Sequence, residues 1–191
     1  MPDLNELMAG LLSGDEERAE AAVHGLIELG EPAIAPLLEA ARSEDPDQRW
    51  WAVRAMGESP ATRAETLLPF LQDDSVEVRQ AAALGLAAHP SEAAIPELIR
   101  RLYDENAMAG SLAANALVKT GAACVLPLLE VMKQAPLPVQ ILAIRALAEL
   151  KDHRAIPALL ELAGADSAVL AYWAEEGLER LGLNMVYIKP T

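Results

Sequence analysis

The strongest constraint on the fold of this chain is an internal repeat. The pattern Ala-x-x-Ala/Gly-Leu/Met starts six times, at steps of 30 or 31 residues: at Ala22, Ala52, Ala82, Ala113, Ala143 and Ala174. Six copies at an almost constant step indicate a repeat protein, in which each unit contacts mainly its neighbours. Because a unit of this length cannot bury its own apolar face, we expect the units to stack into a solenoid.

Each repeat contains two helical segments. The first is rich in Leu and often carries a proline near its start, as at Pro36, Pro96, Pro127 and Pro157, where a missing N–H costs little. The second is rich in Ala and opens after Asp or Ser residues, which are favourable N-caps. Pro69 lies inside the third leucine-rich segment and predicts a kinked or shortened helix there. The predicted helix pairs are about 3–13/15–29, 32–43/46–58, 61–72/75–88, 92–104/107–120, 123–134/137–150 and 154–164/167–182.

The composition favours helices over strands. Hydrophobic residues make up 52% of the chain and aromatic residues 4%, so its apolar content is mainly aliphatic. Ala and Leu are strong helix formers, whereas strands are enriched in β-branched residues. The single cysteine, Cys124, excludes a disulfide scaffold. These features predict an all-α protein.

Three segments resemble a known family of helical repeats. DDSVEVRQAAALGL, DPDQRWWAVRAMG and HRAIPALLELAGAD are similar to short HEAT repeats, the variety also found in phycobilisome-lyase-type proteins. The resemblance covers essentially the whole chain and implies a right-handed α-solenoid of about six two-helix HEAT-like repeats. It further implies that the Ala-rich second helices line the concave surface. The family's Val-Arg pair, whose Arg braces adjacent turns, is present as Val78-Arg79 and in part as Gln48-Arg49 and Val139-Gln140.

We predict one α-solenoid domain over residues 1–182, followed by a tail that breaks the repeat. The six repeats are expected at about 1–30, 31–59, 60–90, 91–121, 122–151 and 152–182. Residues 183–191 either cap the open end of the solenoid, which terminal repeats need for solubility, or dock in a groove.

The candidate binding residues lie on the second helices, beside the buried positions. If these helices line the concave surface, all three tryptophans of the chain fall on its floor. Apolar surface flanked by arginine is typical of a site for a peptide or partner protein. The alternative is that the tryptophans fill gaps between helices or are covered by the tail. The predicted groove residues are Trp50, Trp51, Arg54, Leu84, Leu112, Asn115, Ile141, Leu142, Arg145, Tyr172 and Trp173.

The charge is strongly negative and unevenly distributed. The net charge is −14, and residues 1–47 contain 12 acidic and 2 basic residues. This acidic end is either a solvated cap or a surface that selects a basic partner. Nucleic-acid binding is disfavoured because it needs clustered Lys and Arg. The sequence also shows no signal peptide and no apolar run long enough to span a membrane, so we expect a cytoplasmic protein without membrane contact.

No catalytic or metal-binding motif stands out. None of the three histidines is followed by Glu, as the His-Glu pairs of deoxyhypusine hydroxylases, which are also HEAT-repeat proteins, would require. Cys124 has no partner cysteine and is expected to be a buried, inert thiol. The sequence therefore predicts no catalytic residues, no metal site and no cofactor.

Two functions remain open at this point. The first is a non-catalytic interaction or scaffold module, not an enzyme, that binds a peptide or partner protein in the groove and is itself a monomer or weak homodimer. The alternative, implied by the resemblance to phycobilisome-lyase repeats, is a lyase or chaperone-like helper for a tetrapyrrole-bearing protein, with the chain as a lyase accessory subunit.

Overall fold

The computed structural model of the protein describes residues 3–183, and all regular secondary structure in this range is helical. The all-α repeat fold expected from the sequence is confirmed. Residues 184–191 lie outside the described residues, so the role of the tail stays a prediction. None of the helices within 3–183 is long and apolar enough to cross a membrane. The chain divides into two compact units, residues 1–97 and 98–191.

Helices in residues 1–97 come in consecutive pairs, each with a leucine-rich first and an alanine-rich second member. The pairs are α1 (Leu4–Leu11) with α2 (Glu16–Leu29), α3 (Glu31–Ala40) with α4 (Pro46–Glu58), and α5 (Ala64–Leu67) with α6 (Val76–Ala88).

Residues 98–191 continue the same alternation. Helix α7 (Ile95–Arg101) contains the boundary between the units. The pairs are α7 with α8 (Ala107–Lys119), α9 (Val125–Gln134) with α10 (Leu137–Leu150), and α11 (Ile156–Ala163) with α12 (Ala168–Arg180). A short 3-10 turn precedes each of α7, α9 and α11.

Pro69 shortens the first helix of the third repeat, as the sequence predicts. Helix α5 has only four residues and passes at once into a 3-10 helix, Leu68–Gln72. Proline supplies no N–H for the next α-helical hydrogen bond, and its ring crowds the preceding turn. The tighter 3-10 geometry lets the helical path continue past Pro69.

The repeated alanine and leucine positions form the core. All six alanines that open the repeated pattern are at most 3% exposed, and the Leu or Met four residues later is buried in every repeat. Small side chains at the first position let neighbouring second helices approach closely, and the larger ones fill the space towards the first helices. The repeated pattern is therefore a packing pattern.

A close approach between second helices in residues 1–97 joins α4 and α6 at two glycines. A Cβ built on Gly85 would lie 2.8 Å from the Cα of Gly57, and one built on Gly57 would lie 3.0 Å from the Cα of Gly85. Real Cβ atoms do not approach backbone so closely, so only glycine fits this contact without a shift of the helices.

Polar side chains at one repeated position brace the turn between the paired helices. The Arg49 and Arg79 guanidinium groups each donate to two carbonyls of that turn at 2.9–3.2 Å. The Gln140 amide donates to the Met132 carbonyl at 2.8 Å. Arg49 also forms a two-point ion pair with Asp73 of the next repeat, at 2.7 and 2.8 Å.

We expect Gly85→Ala to lower the free energy of unfolding by about 1–2 kcal/mol. Overpacking costs about 1–3 kcal/mol, and the higher helix propensity of alanine offsets up to about 1 kcal/mol of it. Gly177→Ala is the matched control, because its new Cβ would meet its nearest neighbour, a Leu159 methyl, at an ordinary 3.4 Å. Urea unfolding followed by circular dichroism measures the free energy of unfolding of both variants. Equal values for the two variants would contradict the close contact between Gly57 and Gly85.

The ion pair between Arg49 and Asp73 predicts a pH-dependent loss of stability. Burial raises the pKa of Asp73, but the hydrogen bonds from Arg49 and the Ser75 N–H, together with the charges of Arg49 and Arg79, outweigh burial, so this pKa is lowered. A carboxyl whose pKa is lower in the folded state stabilises the protein above its unfolded pKa of about 3.9. That contribution is lost as the pH falls through the folded value.

Asp73→Asn should therefore cost about 1.5–3 kcal/mol at pH 7, the range for hydrogen bonds to charged groups. The difference from the unchanged protein should shrink below about pH 4. Glu39→Gln is the control, because its ion pair with Arg42 is mostly exposed and should contribute less than about 1 kcal/mol. Unfolding curves from pH 7 to pH 3 test this; a difference that stays constant across the range would rule the explanation out.

Candidate functional site

Two tryptophans form an aromatic cluster on α4. The ring centroids of Trp50 and Trp51 are 4.7 Å apart, and their planes meet at 73° in an edge-to-face arrangement. The Arg54 guanidinium carbon lies 5.5 Å from the Trp50 ring centroid and 5.3 Å from that of Trp51. Both indoles are only partly buried, so the cluster presents aromatic surface to solvent.

Arg54 is neutralised by two carboxylates. It forms a two-point ion pair with Glu20 of α2 at 2.6 and 2.8 Å, and its Nε donates to Glu58 at 2.9 Å. The hydrogen bond from Arg54 lowers the pKa of Glu20, and the hydrogen bond to Glu20 raises the pKa of Arg54. This guanidinium is therefore held in place beside the indoles and has little remaining capacity for an anionic ligand.

An apolar cleft of about 590 Å³ runs beside this cluster, between α4 and α6. Its floor includes the Gly57–Gly85 contact, Leu84 projects into solvent with 57% exposure, and the Trp50 ring forms one wall. His89 closes one end and donates from Nε2 to the Gly57 carbonyl at 3.0 Å. The close approach of the two helices thus exposes a surface that is mostly apolar.

A second cleft, of about 550 Å³, lies at the other end of the Trp50–Trp51 pair and is acidic. Its rim carries Glu16, Asp45 and Asp47.

The two units differ strongly in charge. Residues 1–97 contain 19 acidic and 6 basic residues, a net charge of −13, whereas residues 98–191 contain 10 acidic and 9 basic residues, a net charge of −1. Almost all of the negative charge therefore belongs to the first unit.

The second unit carries another aromatic cluster, on α12. The ring centroids of Tyr172 and Trp173 are 5.4 Å apart at 78°, and the Arg145 guanidinium carbon lies 5.7 Å from the Trp173 ring centroid. Tyr172 is 60% exposed, and Trp173 is partly buried. Each unit thus places an arginine of a second helix over an indole.

Two hollows adjoin in residues 98–191. One, of about 470 Å³, is mainly apolar and contains Tyr103, Val139 and Leu142. The other, of about 100 Å³, is small and more polar, with Arg145 in its lining. Residues Ser111 and Leu142 line both hollows.

None of the eleven predicted groove residues lies in the buried core. Four of them belong to the first unit: Trp50, Trp51, Arg54 and Leu84. Seven belong to the second: Leu112, Asn115, Ile141, Leu142, Arg145, Tyr172 and Trp173. All are partly buried or exposed, and all lie on second helices. The structure gathers Trp50, Trp51 and Arg54 in one cluster, and Arg145, Tyr172 and Trp173 in another. Their role in binding a partner stays a prediction.

Three residues outside the eleven predicted groove residues also shape the surface of the first unit. Glu20 and Glu58 fix Arg54, and His89 joins α6 to α4 through the Gly57 carbonyl. Glu20 precedes Arg54 by 34 residues, one repeat step plus one helical turn, and this spacing could have suggested the contact.

Cys124 is fully buried, as expected from the sequence. Its sulfur lies 3.1 Å from both the Leu117 and the Gly121 carbonyl oxygen, so its one S–H is shared between two acceptors. Burial raises the pKa of this thiol, so at neutral pH it is protonated. A buried, protonated thiol is a poor nucleophile.

Family models match adjoining parts of the chain. Residues 64–138 match a model described as HEAT repeats, and residues 139–164 match one described as PBS lyase HEAT-like repeat. Together these two matches span just over half of the sequence.

A curated relative with a named activity aligns with half of the chain. "Phycocyanobilin lyase subunit beta" of Pseudanabaena tenuis is 38% identical over 96 residues, which are 50% of this chain and 34% of that protein. The alignment therefore reaches about a third of the relative's length.

Solved structures support the same fold. The archaeal HEAT-like repeats protein of Thermococcus onnurineus has a TM-score of 0.62 at 15% identity and covers 95% of this chain and 81% of its own. The complex of CpcE and CpcF of phycocyanin lyase from Nostoc sp. has a TM-score of 0.56 at 21% identity; the match covers 95% of this chain and 78% of that chain. A designed armadillo repeat protein in complex with the peptide (KR)4 has a TM-score of 0.54 at 19% identity; the match covers 94% of this chain and 100% of that chain.

These comparisons correct one expectation from the sequence. The chain was expected not to be an enzyme, because it carries no recognisable catalytic motif. That prediction is wrong, because the named relative, 38% identical over half of this chain, is a lyase subunit. The matched models and the shared fold lead to one conclusion: the chain belongs to the HEAT-repeat proteins, with repeats of the phycobilisome-lyase type.

Proposed function

We propose that this chain takes part in a lyase-type reaction on an open-chain tetrapyrrole, or bilin, by binding the bilin and the protein that receives it. The observation that carries the proposal is the 38% identity, over half of this chain, to a phycocyanobilin lyase subunit. A simple scaffold explains the same fold but gives no reason for this relationship. The lyase-type function therefore replaces the scaffold as the leading hypothesis.

The clefts beside the second helices support a role in binding. The apolar hollows of about 590 Å³ and 470 Å³ have volumes typical of small-molecule sites, about 300–1,000 Å³. Their linings combine Trp50, Tyr103 and exposed Leu84 with a few polar groups. Such surfaces bind and orient a flat conjugated molecule, or an apolar segment of a protein, and shield it from water.

The chain has no accessible thiol with which to form a covalent bilin adduct of its own. Its single cysteine, Cys124, is buried, and burial raises its pKa. We therefore infer that the bilin is held non-covalently and that the bond to sulfur forms on the acceptor protein. The contribution of this chain is to bring the two reactants together in a fixed orientation.

The first unit is the better candidate for contact with the acceptor protein. Its net charge of −13 favours a partner surface that carries basic residues. Trp50, Trp51 and Leu84 add exposed apolar area, and tryptophan is enriched among the residues that dominate binding energies at protein interfaces.

The proposal predicts that the purified chain binds phycocyanobilin, bilin-free phycocyanin subunits, or both. Binding of the bilin should shift its visible absorption, because the protein replaces water around the chromophore and restricts its shape. Binding of the subunits should appear as co-elution in size-exclusion chromatography. Absence of both an absorption shift and co-elution would rule the proposal out.

A matched pair of leucine variants tests whether the second helices form the acceptor surface. Leu84 on α6 and Leu126 on α9 are 57% and 60% exposed, so truncation to alanine removes the same side-chain atoms at similar exposure. We expect Leu84→Ala to weaken binding of phycocyanin subunits by up to about tenfold, equivalent to the loss of about 1.4 kcal/mol of apolar contact.

Leu126→Ala should leave that binding unchanged, because Leu126 lies on a first helix. Isothermal titration calorimetry gives both affinities, and circular dichroism checks that both variants remain folded. Equal affinities for the two variants would place the acceptor surface elsewhere.

A further inference from the structure

Two arginines at the same repeat position differ in their partners. Arg54 and Arg145 each stand two residues after the buried alanine of their repeat, and each lies over an indole. Arg54 is held by Glu20 and Glu58, whereas Arg145 forms no ion pair and no hydrogen bond to any residue within 3–183. One guanidinium is neutralised, and the other has no partner among residues 3–183 for its five N–H donors.

The sequence of the preceding repeat accounts for part of this difference. Arg54 takes its two-point partner, Glu20, from the column two residues before the buried alanine. In the repeat before Arg145, the same column holds Ser111. A serine hydroxyl carries no charge and cannot neutralise a guanidinium.

Three side chains near Arg145 can donate hydrogen bonds. The small polar hollow that it lines also includes the Asn115 amide, the Ser111 hydroxyl and the Arg180 guanidinium, the last of which pairs with Glu176 at 3.2 Å. One carboxylate, Glu149, lies in the same lining. At about 100 Å³, this hollow has room for a ligand's acidic group but not for a large ligand.

The apolar hollow lies beside this polar one. Leu142 and Ser111 belong to both linings, and the larger space beyond them is bounded by Tyr103, Pro136 and Val139. A ligand that fills both would have a flat or extended apolar body and an acidic group at one edge. Guanidinium groups bind carboxylates through two parallel hydrogen bonds, which adds geometric specificity to the charge attraction.

We propose that residues 98–183 bind an open-chain tetrapyrrole with one of its propionate carboxylates on Arg145 and its conjugated body in the adjoining apolar hollow. This assignment rests on the proposed function, and it adds which unit holds the bilin and which residue anchors it. The near-neutral charge of the second unit supports the choice, because the net charge of −13 on the first unit repels a dicarboxylate.

Phycocyanobilin as the free acid and as its dimethyl ester tests the role of the carboxylate. The ester keeps the conjugated body but removes both negative charges. For the unchanged chain, we expect the free acid to bind at least about tenfold more tightly than the ester, because a charge-assisted two-point contact is lost. Absorption titration gives both dissociation constants.

Arg145→Gln should weaken binding of the free acid by about tenfold or more and leave binding of the ester nearly unchanged. Arg145→Lys should restore part of the loss by keeping the charge. Arg42→Gln is the control, because it removes an exposed arginine that lines none of the clefts described above, and it should leave both constants unchanged. Arg54→Gln is measured beside it as the variant at the same repeat position in the first unit. Since Arg145 is exposed, its variants should keep the helical circular dichroism of the unchanged chain.

The possible results separate this assignment from the proposed function. Equal affinities for acid and ester, or an Arg145→Gln variant that binds the acid normally, would overturn the assignment while bilin binding itself stands. If neither form of the bilin binds, the assignment falls, and co-elution with phycocyanin subunits then decides the proposed function independently. A loss of acid binding in Arg54→Gln alone would move the carboxylate site to the first unit.

Discussion

Close packing of small residues between second helices is the constraint on which the other features of this protein depend. Alanine at one repeated position, and glycine where α4 meets α6, bring backbone within contact distance of backbone. With the helices this close, the side chains on either side of the buried stripe cannot turn inward. They form the exposed face, so the packing that stabilises each unit also determines which residues are available for binding.

Much of the fold could be predicted from the sequence because the repeat encodes it directly. The step of 30 or 31 residues located the helix pairs, and the position of each residue relative to the repeated alanine separated buried from exposed side chains. Pro69 marked the shortened helix for a local reason, the missing N–H. These properties depend on residues close together in the sequence or at one repeat step, where pattern is informative.

The candidate site was harder to predict from the sequence. The properties of its residues depend on partners in other repeats, which one position of the repeat does not reveal. Arg54 and Arg145 occupy the same column, yet Arg54 is neutralised and Arg145 has no ion-pair partner within residues 3–183. Part of this difference is that Glu20 in one preceding repeat corresponds to Ser111 in the other. The function was harder still to predict from the sequence. Repeats of this kind carry no catalytic signature of their own, so the resemblance to phycobilisome-lyase repeats gave the lyase only as an alternative. The named relative made it the leading hypothesis.

The burial of Cys124 has a consequence for the internal motions of the second unit. A protonated thiol hydrogen-bonded to two carbonyls reacts with an alkylating reagent only when the surrounding helices open. Since this is the chain's single cysteine, its labelling rate would report the free energy of one local opening without interference from other sites. The core of this unit thus contains a natural probe of its own fluctuations.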